Sequence, residues 1–395
     1  MHALGVAAAV GWAICGSALA ADSAAIPPGP VELNNRAVAL ASQGRYTEAE
    51  AVYRQALEGL AQRADRPETA GERARTLENL GSLLRNTGRY AESETVLDQA
   101  LSQFQAATGE SSADAGHVLE NLAALHLAGG DAARAESCAL RAAAMLSGPD
   151  RTDNQVLLAT IYLEQRRFAE ARAILEPALP GAVGQLAFTI HASLAAAALG
   201  EEKLDDAREF SNRALEIAAT AMPPDHIGVA AVWNNLGQAC RFQGRYLEAE
   251  TSYHKAIEIW TAARGPAHPL VARGLLNLAA FEHERGREHA AEELYGRAAG
   301  ILEQAIGRDS LQTLIARNEL GEVLRAEGRY TAAEQLSGAT LPPIRKLLPE
   351  NDPRVLRALA NYARLLAATK RQADADALWA HIRLVANTLT TGSLQ

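Results

Sequence analysis

The chain has 395 residues and a formal net charge of −9, and its residues are 48% hydrophobic but only 5% aromatic. The acidic balance and the scarcity of aromatic side chains argue against a nucleic-acid-binding surface. Abundant alanine and few strand-forming residues favour close-packed helices over a β-rich fold.

The N-terminal segment differs in kind from the rest of the chain. Residues 4–19 form an apolar run without acidic or basic side chains, and residues 18–20 read Ala-Leu-Ala, a small-x-small cleavage pattern. We therefore predict a secretory signal peptide over residues 1–20 and a periplasmic or secreted protein. Because no Lys or Arg precedes the apolar run, a retained membrane anchor over 4–19 is the alternative, and membrane contact is expected only in that case. Residues 21–30 are a predicted linker.

From residue 31 to about residue 390 one block recurs nine times, in most cases every 42 residues. One aligned column always holds alanine or glycine, and a second column, twelve residues later, always holds alanine or serine. The first column is Ala37, Gly81, Ala123, Ala159, Ala195, Gly237, Ala279, Gly321 and Ala363. The second is Ala49, Ser93, Ala135, Ala171, Ala207, Ala249, Ala291, Ala333 and Ala375. Small side chains at these positions allow two antiparallel helices to cross closely, so each block is predicted to be a helical hairpin.

The second helix of each hairpin has its own inward-facing small residue. This third column is Ala56, Ala100, Ala142, Ala178, Ala214, Ala256 and Ala298, and it is lost in the last two copies at Thr340 and Ile382. Between the two helices, a Gly-Arg-Tyr sequence recurs at 44–46, 88–90, 244–246 and 328–330. The glycine is expected just after the first helix, and the tyrosine ring is expected to pack under the corner.

These columns resemble the tetratricopeptide repeat, and the 42-residue spacing resembles the variant found in kinesin light chains. The resemblance covers residues 31–390 and implies an all-α fold, a right-handed superhelical solenoid of about nine helical hairpins, with a tail over 391–395. Repeats four and five are six residues shorter than the others, and a change of pitch is therefore expected between about residues 147 and 222. This change is either a fixed irregularity or a point of flexion.

The turns between repeats are similar to the Asp-His-Pro pattern of that variant. His226, His268, Ser310 and Asp352 share one column, and they are predicted to mark helix starts, with Asp or Ser capping free backbone N–H groups. The histidines are therefore interpreted as turn residues and not as ligands.

The sequence contains no recognisable catalytic constellation, phosphate-binding loop or paired-cysteine metal site. His283 and His289 are six residues apart across a predicted turn, so they do not share a helical face as metal ligands would. Cys138 and Cys240 lie three repeats apart and are predicted to be packed, unpaired thiols. We therefore expect neither an enzyme nor a bound cofactor or metal.

The resemblance places one asparagine column on the concave face, where similar proteins hold an extended peptide. In this chain the column is Asn35, Asn79, Asn121, Asn235, Asn277 and Asn361, and it is interrupted in repeats four, five and eight. An amide side chain carries both a donor and an acceptor, so it can pair with a peptide backbone. The alternative is that these amides bond to neighbouring helices and tie the repeats together.

Arginines are expected in other columns of the same face, at Arg75, Arg85, Arg241, Arg273, Arg325 and Arg357. They would either pair with carboxylates of a ligand or remain ordinary solvated side chains, and Glu78 and Glu120 are expected to neutralise part of their charge.

The leading hypothesis is a non-catalytic protein-interaction module that binds an extended peptide segment of a protein partner. The predicted peptide-binding residues are Asn79, Asn121, Asn235, Asn277, Arg75, Arg85, Arg241 and Arg273. The alternative is a structural scaffold of an envelope assembly that uses the convex face or the solenoid ends. Nucleic-acid binding and a hidden hydrolase lack a supporting pattern.

Overall fold

The computed structural model describes residues 28–63, 69–109 and 111–392, with side chains described as far as residue 386. The predicted signal peptide and most of the predicted linker lie outside the described residues. Within those residues the chain forms eighteen α-helices and no strand. The prediction of an all-α helical repeat solenoid is confirmed, because the helices pair in sequence order into nine antiparallel hairpins.

The chain divides into two compact units, Met1–Ala182 and Val183–Gln395. Unit 1 contains α1 (Pro30–Ser42), α2 (Tyr46–Ala61), α3 (Thr69–Asn86), α4 (Tyr90–Thr108), α5 (Ala113–Ala128), α6 (Ala132–Ala143), α7 (Gly148–Glu164) and α8 (Phe168–Leu175). Unit 2 contains α9 (Gly184–Gly200), α10 (Leu204–Ala221), α11 (Ile227–Phe242), α12 (Tyr246–Arg264), α13 (Pro269–Glu284), α14 (Glu288–Ile306), α15 (Leu311–Ala326), α16 (Tyr330–Leu347), α17 (Pro353–Ala368) and α18 (Gln372–Gly392). The odd-numbered helices are called A helices below, and the even-numbered ones B helices.

The A helices form the inner layer of each unit. In unit 1, α3 contacts both α1 and α5, and α5 contacts α7; in unit 2, α11 contacts both α9 and α13. B helices such as α4 and α12 instead contact the A helices on either side of them. Direct A-to-A contact means that the A helices lie on the tighter side of the curve, which is where repeat proteins present their concave surface.

The two predicted small columns lie where the helices of each hairpin cross. All eighteen of their residues are buried. In repeat two the Ser93 hydroxyl donates to the Gly81 carbonyl at 2.7 Å, a contact between α4 and α3 that only a close crossing allows. The small columns are therefore confirmed as the packing positions of the fold.

The third small column is wrong at Ala178, which is only half-buried. Helix α8 ends at Leu175, and Ala178 lies in a 3₁₀ helix over Glu176–Gly181. Pro177 has no N–H to continue the α-helical hydrogen bonds, and Pro180 follows within one turn. The second helix of repeat four is consequently short, and Ala178 does not reach a crossing position.

The glycines of the turns within hairpins lie where they were predicted, but the tyrosine rings do not pack under the corner as expected: Tyr46, Tyr90, Tyr246 and Tyr330 are 40–43% exposed. In the first hairpin the Arg45 N–H donates to the Leu40 carbonyl at 3.0 Å across Gly44, whose φ is +75°. The same left-handed conformation is imposed on three residues that carry a side chain: Arg166, Glu202 and Lys370, with φ of 61°, 61° and 63°. A Cβ atom is unfavourable in this region, so these three turns are locally strained.

Lys370→Gly is therefore expected to raise the free energy of unfolding of unit 2 by about 1 kcal/mol, because glycine reaches the left-handed region without a Cβ clash. Urea denaturation of the full chain measures the change. Gly328→Ala is the matched control, since φ is +78° at Gly328, and it is expected to lower stability. An equal effect of both substitutions would contradict this account of the turns.

The predicted helix starts are also confirmed. The Nδ1 atoms of His226 and His268 accept from the backbone N–H groups of Gly228 and Leu270 at 3.2 and 3.1 Å. Burial lowers the pKa of both imidazoles, which favours the neutral form that this acceptor role requires. Ser310 and Asp352 likewise cap α15 and α17 through their side-chain oxygens.

Candidate functional site

The exposed face of an A helix consists of positions three or four residues apart, which point the same way. In α11 these positions are Ala231, Asn235, Gln238 and Phe242, on the side of the helix opposite the buried Gly237. The first three side chains are half-buried, and Phe242 is 57% exposed. This set is called the α11 face below.

Most of the predicted asparagines already have a partner within the chain. Four amide groups donate to an oxygen on the preceding A helix: Asn79 Nδ2 to Asn34 at 3.0 Å, Asn121 Nδ2 to Glu78 at 3.0 Å, Asn277 Nδ2 to Asn234 at 2.7 Å and Asn361 Nδ2 to Asn318 at 2.8 Å. Asn277 and Asn361 are also almost fully buried. These contacts correspond to the alternative interpretation, in which the amides tie the repeats together. Their role in peptide binding remains a prediction.

Asn235 is different because the preceding repeat offers it no acceptor. The residue equivalent to Asn34 and Asn234 on α9 is Ala192. Neither the amide of Asn235 nor that of Gln238 makes a hydrogen bond within the part of the chain that the structure describes. The α11 face therefore carries two half-buried amides, one helical turn apart, whose donors and acceptors are available.

Five of the six predicted arginines have a partner within their own unit. Arg75 lies 3.4 Å from Asp114, Arg241 lies 3.5 Å from Glu284, Arg325 donates to Glu322 at 2.8 Å, Arg357 donates to Glu319 at 2.6 Å, and the Arg273 guanidinium stacks on Trp260 at 4.7 Å. The predicted basic stripe is thus largely neutralised inside the chain, by acids that the sequence pattern did not connect to it.

Arg85 is the exception among the six. It occupies the same column as Arg241 and Arg325, which pair with Glu284 and Glu322. The residues equivalent to these two acids near Arg85 are Ala128 and Ser82, which carry no charge. Arg85 is half-buried and forms no ion pair with any described residue. Burial lowers the pKa of its guanidinium, the direction expected for a cation that lacks a nearby carboxylate.

Arg241 also shapes the edge of the α11 face. Its side chain is 11% exposed, and its guanidinium lies 4.6 Å from the centre of the Phe242 ring. The Nε atom is buried and makes no hydrogen bond to the described residues. The largely buried cation thus stacks beside an exposed ring, which gives this end of the face an apolar character.

One cluster of residues has the composition of a metal site, but a neighbouring arginine already pairs with its acids. Among the described residues His289, Glu292 and Glu327 are close enough to share an ion, but Arg329 lies 2.7 Å from Glu292 and 3.0 Å from Glu327. His283 bonds to Glu288 at 2.5 Å. The acids therefore have a partner already, and His289 is largely exposed, as the sequence predicts for a charged corner.

Cys138 and Cys240 are unpaired and packed, as predicted, and burial raises the pKa of both thiols. A raised pKa leaves less of the reactive thiolate at neutral pH. None of the helices in the described part of the chain is both long enough and apolar enough to span a membrane.

Comparisons with known proteins agree with this architecture. A family model described as Tetratricopeptide repeat matches residues 72–147, 185–251, 228–304 and 270–342, and a second model of the same description matches residues 33–62. These matches cover more than half of the chain. No curated protein matches the sequence.

Solved structures share the fold at low sequence identity. The apo form of RapI superposes with a TM-score of 0.65 at 11% identity, over 92% of this chain and 99% of RapI. The apo form of the quorum sensor NprR from B. thuringiensis gives 0.65 at 12%, over 89% and 97%. A Rap protein complexed with Competence and Sporulation Factor gives 0.54 at 15%, over 88% and 99%. Identities this low show a shared fold alone.

Proposed function

Because this chain belongs to the tetratricopeptide repeat family, a family of protein-interaction repeats, we propose that it binds an extended peptide segment of a protein partner on the A helices. The observation that carries this proposal is the α11 face, where Asn235 and Gln238 present unpaired amides next to the exposed ring of Phe242. The proposal involves no catalytic step and no cofactor.

The chemistry of the α11 face suits a peptide backbone. Each peptide unit offers one N–H donor and one C=O acceptor, and each amide side chain offers the complementary pair. Asn235 and Gln238 lie about one helical turn apart, a separation of roughly 5 Å that is comparable to one or two residues of an extended chain. Two amides can therefore bind adjacent backbone groups without selecting the sequence of the partner.

Phe242 and Arg241 add side-chain contacts to this backbone binding. The exposed Phe242 ring gives an apolar surface, and the adjacent Arg241 guanidinium, which stacks beside this ring, adds positive charge close to it. A Rap protein of the same fold forms a complex with Competence and Sporulation Factor, and this supports ligand binding by the architecture without identifying a ligand for this chain.

The test uses the full chain and peptide ligands selected from a displayed random library. Replacing both Asn235 and Gln238 by alanine is expected to weaken binding about 5- to 150-fold, since two hydrogen bonds contribute about 1–3 kcal/mol together. Thr251→Ala is the matched control, because Thr251 is exposed on B helix α12. Unchanged affinity of the double variant, measured by fluorescence polarisation, would remove the α11 face from the proposal.

The scaffold function is the second candidate, and one observation favours it. Leu247, at the start of α12, is 80% exposed, next to Tyr246, which is 43% exposed. Exposed apolar side chains at the end of a hairpin favour contact with another protein away from the A helices. The same assay separates the two candidates: Leu247→Ser is expected to leave the affinity for the selected peptide unchanged if the A helices bind it, and to weaken that affinity if the end of the hairpin binds it.

A location outside the cytoplasm is part of the proposal and rests on the apolar residues 4–19 alone. Cell fractionation with intact-mass measurement tests it. A chain that remains in the cytoplasm at full length would refute the location.

A further inference from the structure

His117 lies at the centre of a charged network on the A helices of unit 1. Its Nδ1 atom is 3.3 Å from the Glu120 carboxylate on the same helix, α5. Its Nε2 atom is 3.5 Å from the Asp150 carboxylate on α7, in the next repeat. One imidazole thus faces an acid on each side and connects two consecutive A helices.

The neighbouring helices supply further charged groups. From α3 come Glu78 and Arg75, and Arg75 lies 3.4 Å from Asp114 of α5. Glu78 accepts a hydrogen bond from Asn121 at 3.0 Å. From α7, Asp153 adds another carboxylate close to Asp150. The B helices α4 and α6, as described here, contribute no ion pair to His117, so the network contains five carboxylates and two basic groups.

We propose that His117 is a proton-controlled clamp between repeats three and four of unit 1. Its imidazolium form holds α5 to α7 through Asp150. Loss of the proton removes this attraction and leaves the surrounding carboxylates to repel one another. The clamp therefore tightens the A-helix layer of unit 1 in mildly acidic conditions and loosens it above neutral pH. It requires no ligand and goes beyond the proposed peptide binding.

The pKa values of His117 and Glu78 are both raised in the folded chain, the direction that the clamp requires. The hydrogen bond to Glu120, followed by the charges of Glu120, Asp150 and Glu78, raises the pKa of His117 above its usual 6.5 despite partial burial. Burial raises the pKa of Glu78 to about 7. Each group binds its proton more tightly in the folded chain than in the unfolded one, so both favour the folded state at lower pH. The contribution of His117 is complete below its unfolded pKa and is lost as pH rises through its folded pKa.

Hydrogen exchange of the full chain at about pH 6 and about pH 8, corrected for the intrinsic pH dependence of exchange, tests the clamp. The first turns of α7 are expected to be about two- to fivefold better protected at the lower pH, the size of effect of a partly exposed ion pair. His117→Gln is expected to abolish this difference. His289→Gln is the matched control, because His289 is exposed in unit 2, and it is expected to preserve the difference.

A second measurement covers the case in which His117→Gln disturbs folding. In the unsubstituted chain, NMR titration of labelled histidine is expected to give His117 a pKa above 6.5, and Asp150→Asn is expected to lower that pKa. A His117 pKa at or below its usual value would overturn the proposal. So would protection of α7 that is independent of pH in the unsubstituted chain.

Discussion

Gly237→Ala is expected to lower the free energy of unfolding of unit 2 by about 1–3 kcal/mol, the usual cost of overfilling a packed site. A Cβ atom on Gly237 would lie 2.8 Å from two ring carbons of Tyr253. That ring is fully buried on α12, so it cannot swing into solvent. The helices α11 and α12 would have to separate, and the crossing on which the hairpin depends would weaken.

Gly321→Ala is the matched control for this prediction, since Gly321 occupies the same column two repeats later. A Cβ atom on Gly321 would have no neighbouring atom closer than 3.6 Å, an ordinary van der Waals distance. Alanine also has the higher helix propensity, so this substitution is expected to be neutral or stabilising by up to about 1 kcal/mol. Urea denaturation compares the two variants. Equal destabilisation would show that the space at each helix crossing does not decide whether alanine is tolerated in this column.

Asn277→Ala is expected to destabilise unit 2 by about 1–3 kcal/mol, because it leaves the buried Asn234 oxygen without its donor. Asn277 donates to that oxygen at 2.7 Å across the interface between α13 and α11, and both side chains are buried. Loss of this bond removes a specific contact between repeats six and seven. Hydrogen exchange of α11 and α13 is expected to increase together.

Asn235→Ala is the matched comparison, because it distinguishes amides that stabilise the fold from amides that can bind a ligand. Asn235 stands in the same column as Asn277, but Ala192 provides no acceptor for it. Its replacement is therefore expected to change the stability by less than about 0.5 kcal/mol. If Asn235→Ala destabilised the chain as much as Asn277→Ala, the amide of Asn235 would be structural and the α11 face would lose its main polar group.

The fold was predictable because its determinants are local and repeated. Small columns such as Gly81 with Ser93 report the crossing of two helices, and Gly44 reports the turn between them. The prediction was wrong at Ala178. The column spacing places this residue at a helix crossing, but two nearby prolines end the α-helix before it. Local backbone chemistry prevailed over the repeat pattern there.

The candidate site was less predictable because it depends on which residues meet between repeats. The asparagine column is visible in the sequence, but its acceptors lie in the adjacent column, at Asn34, Glu78, Asn234 and Asn318. The paired asparagines at 34–35 and 234–235 are the signal that would have suggested this. Spacing alone does not show whether a given amide is already bonded.

The arginine of the Gly-Arg-Tyr turn makes another contact between repeats, which the motif alone did not predict. Arg89 lies 2.7 Å from Glu50, and Arg329 lies 2.7 Å from Glu292, each acid belonging to the preceding B helix. Arg172 and Arg208 replace this acid in repeats four and five. The arrangement follows from two columns that are far apart in sequence, so it requires the stacking of repeats to become apparent.

Photo-crosslinking from a single position on each face of the same repeat tests directly whether the A helices bind the peptide. A photoreactive amino acid is placed either at Gln238, on the α11 face, or at Thr251, exposed on α12, and a bound peptide ligand selected from the displayed library is irradiated with each variant. If the α11 face binds the peptide, a crosslinked product is expected from position 238 and little from position 251. A product formed mainly at position 251 would contradict this and place recognition on the B helices.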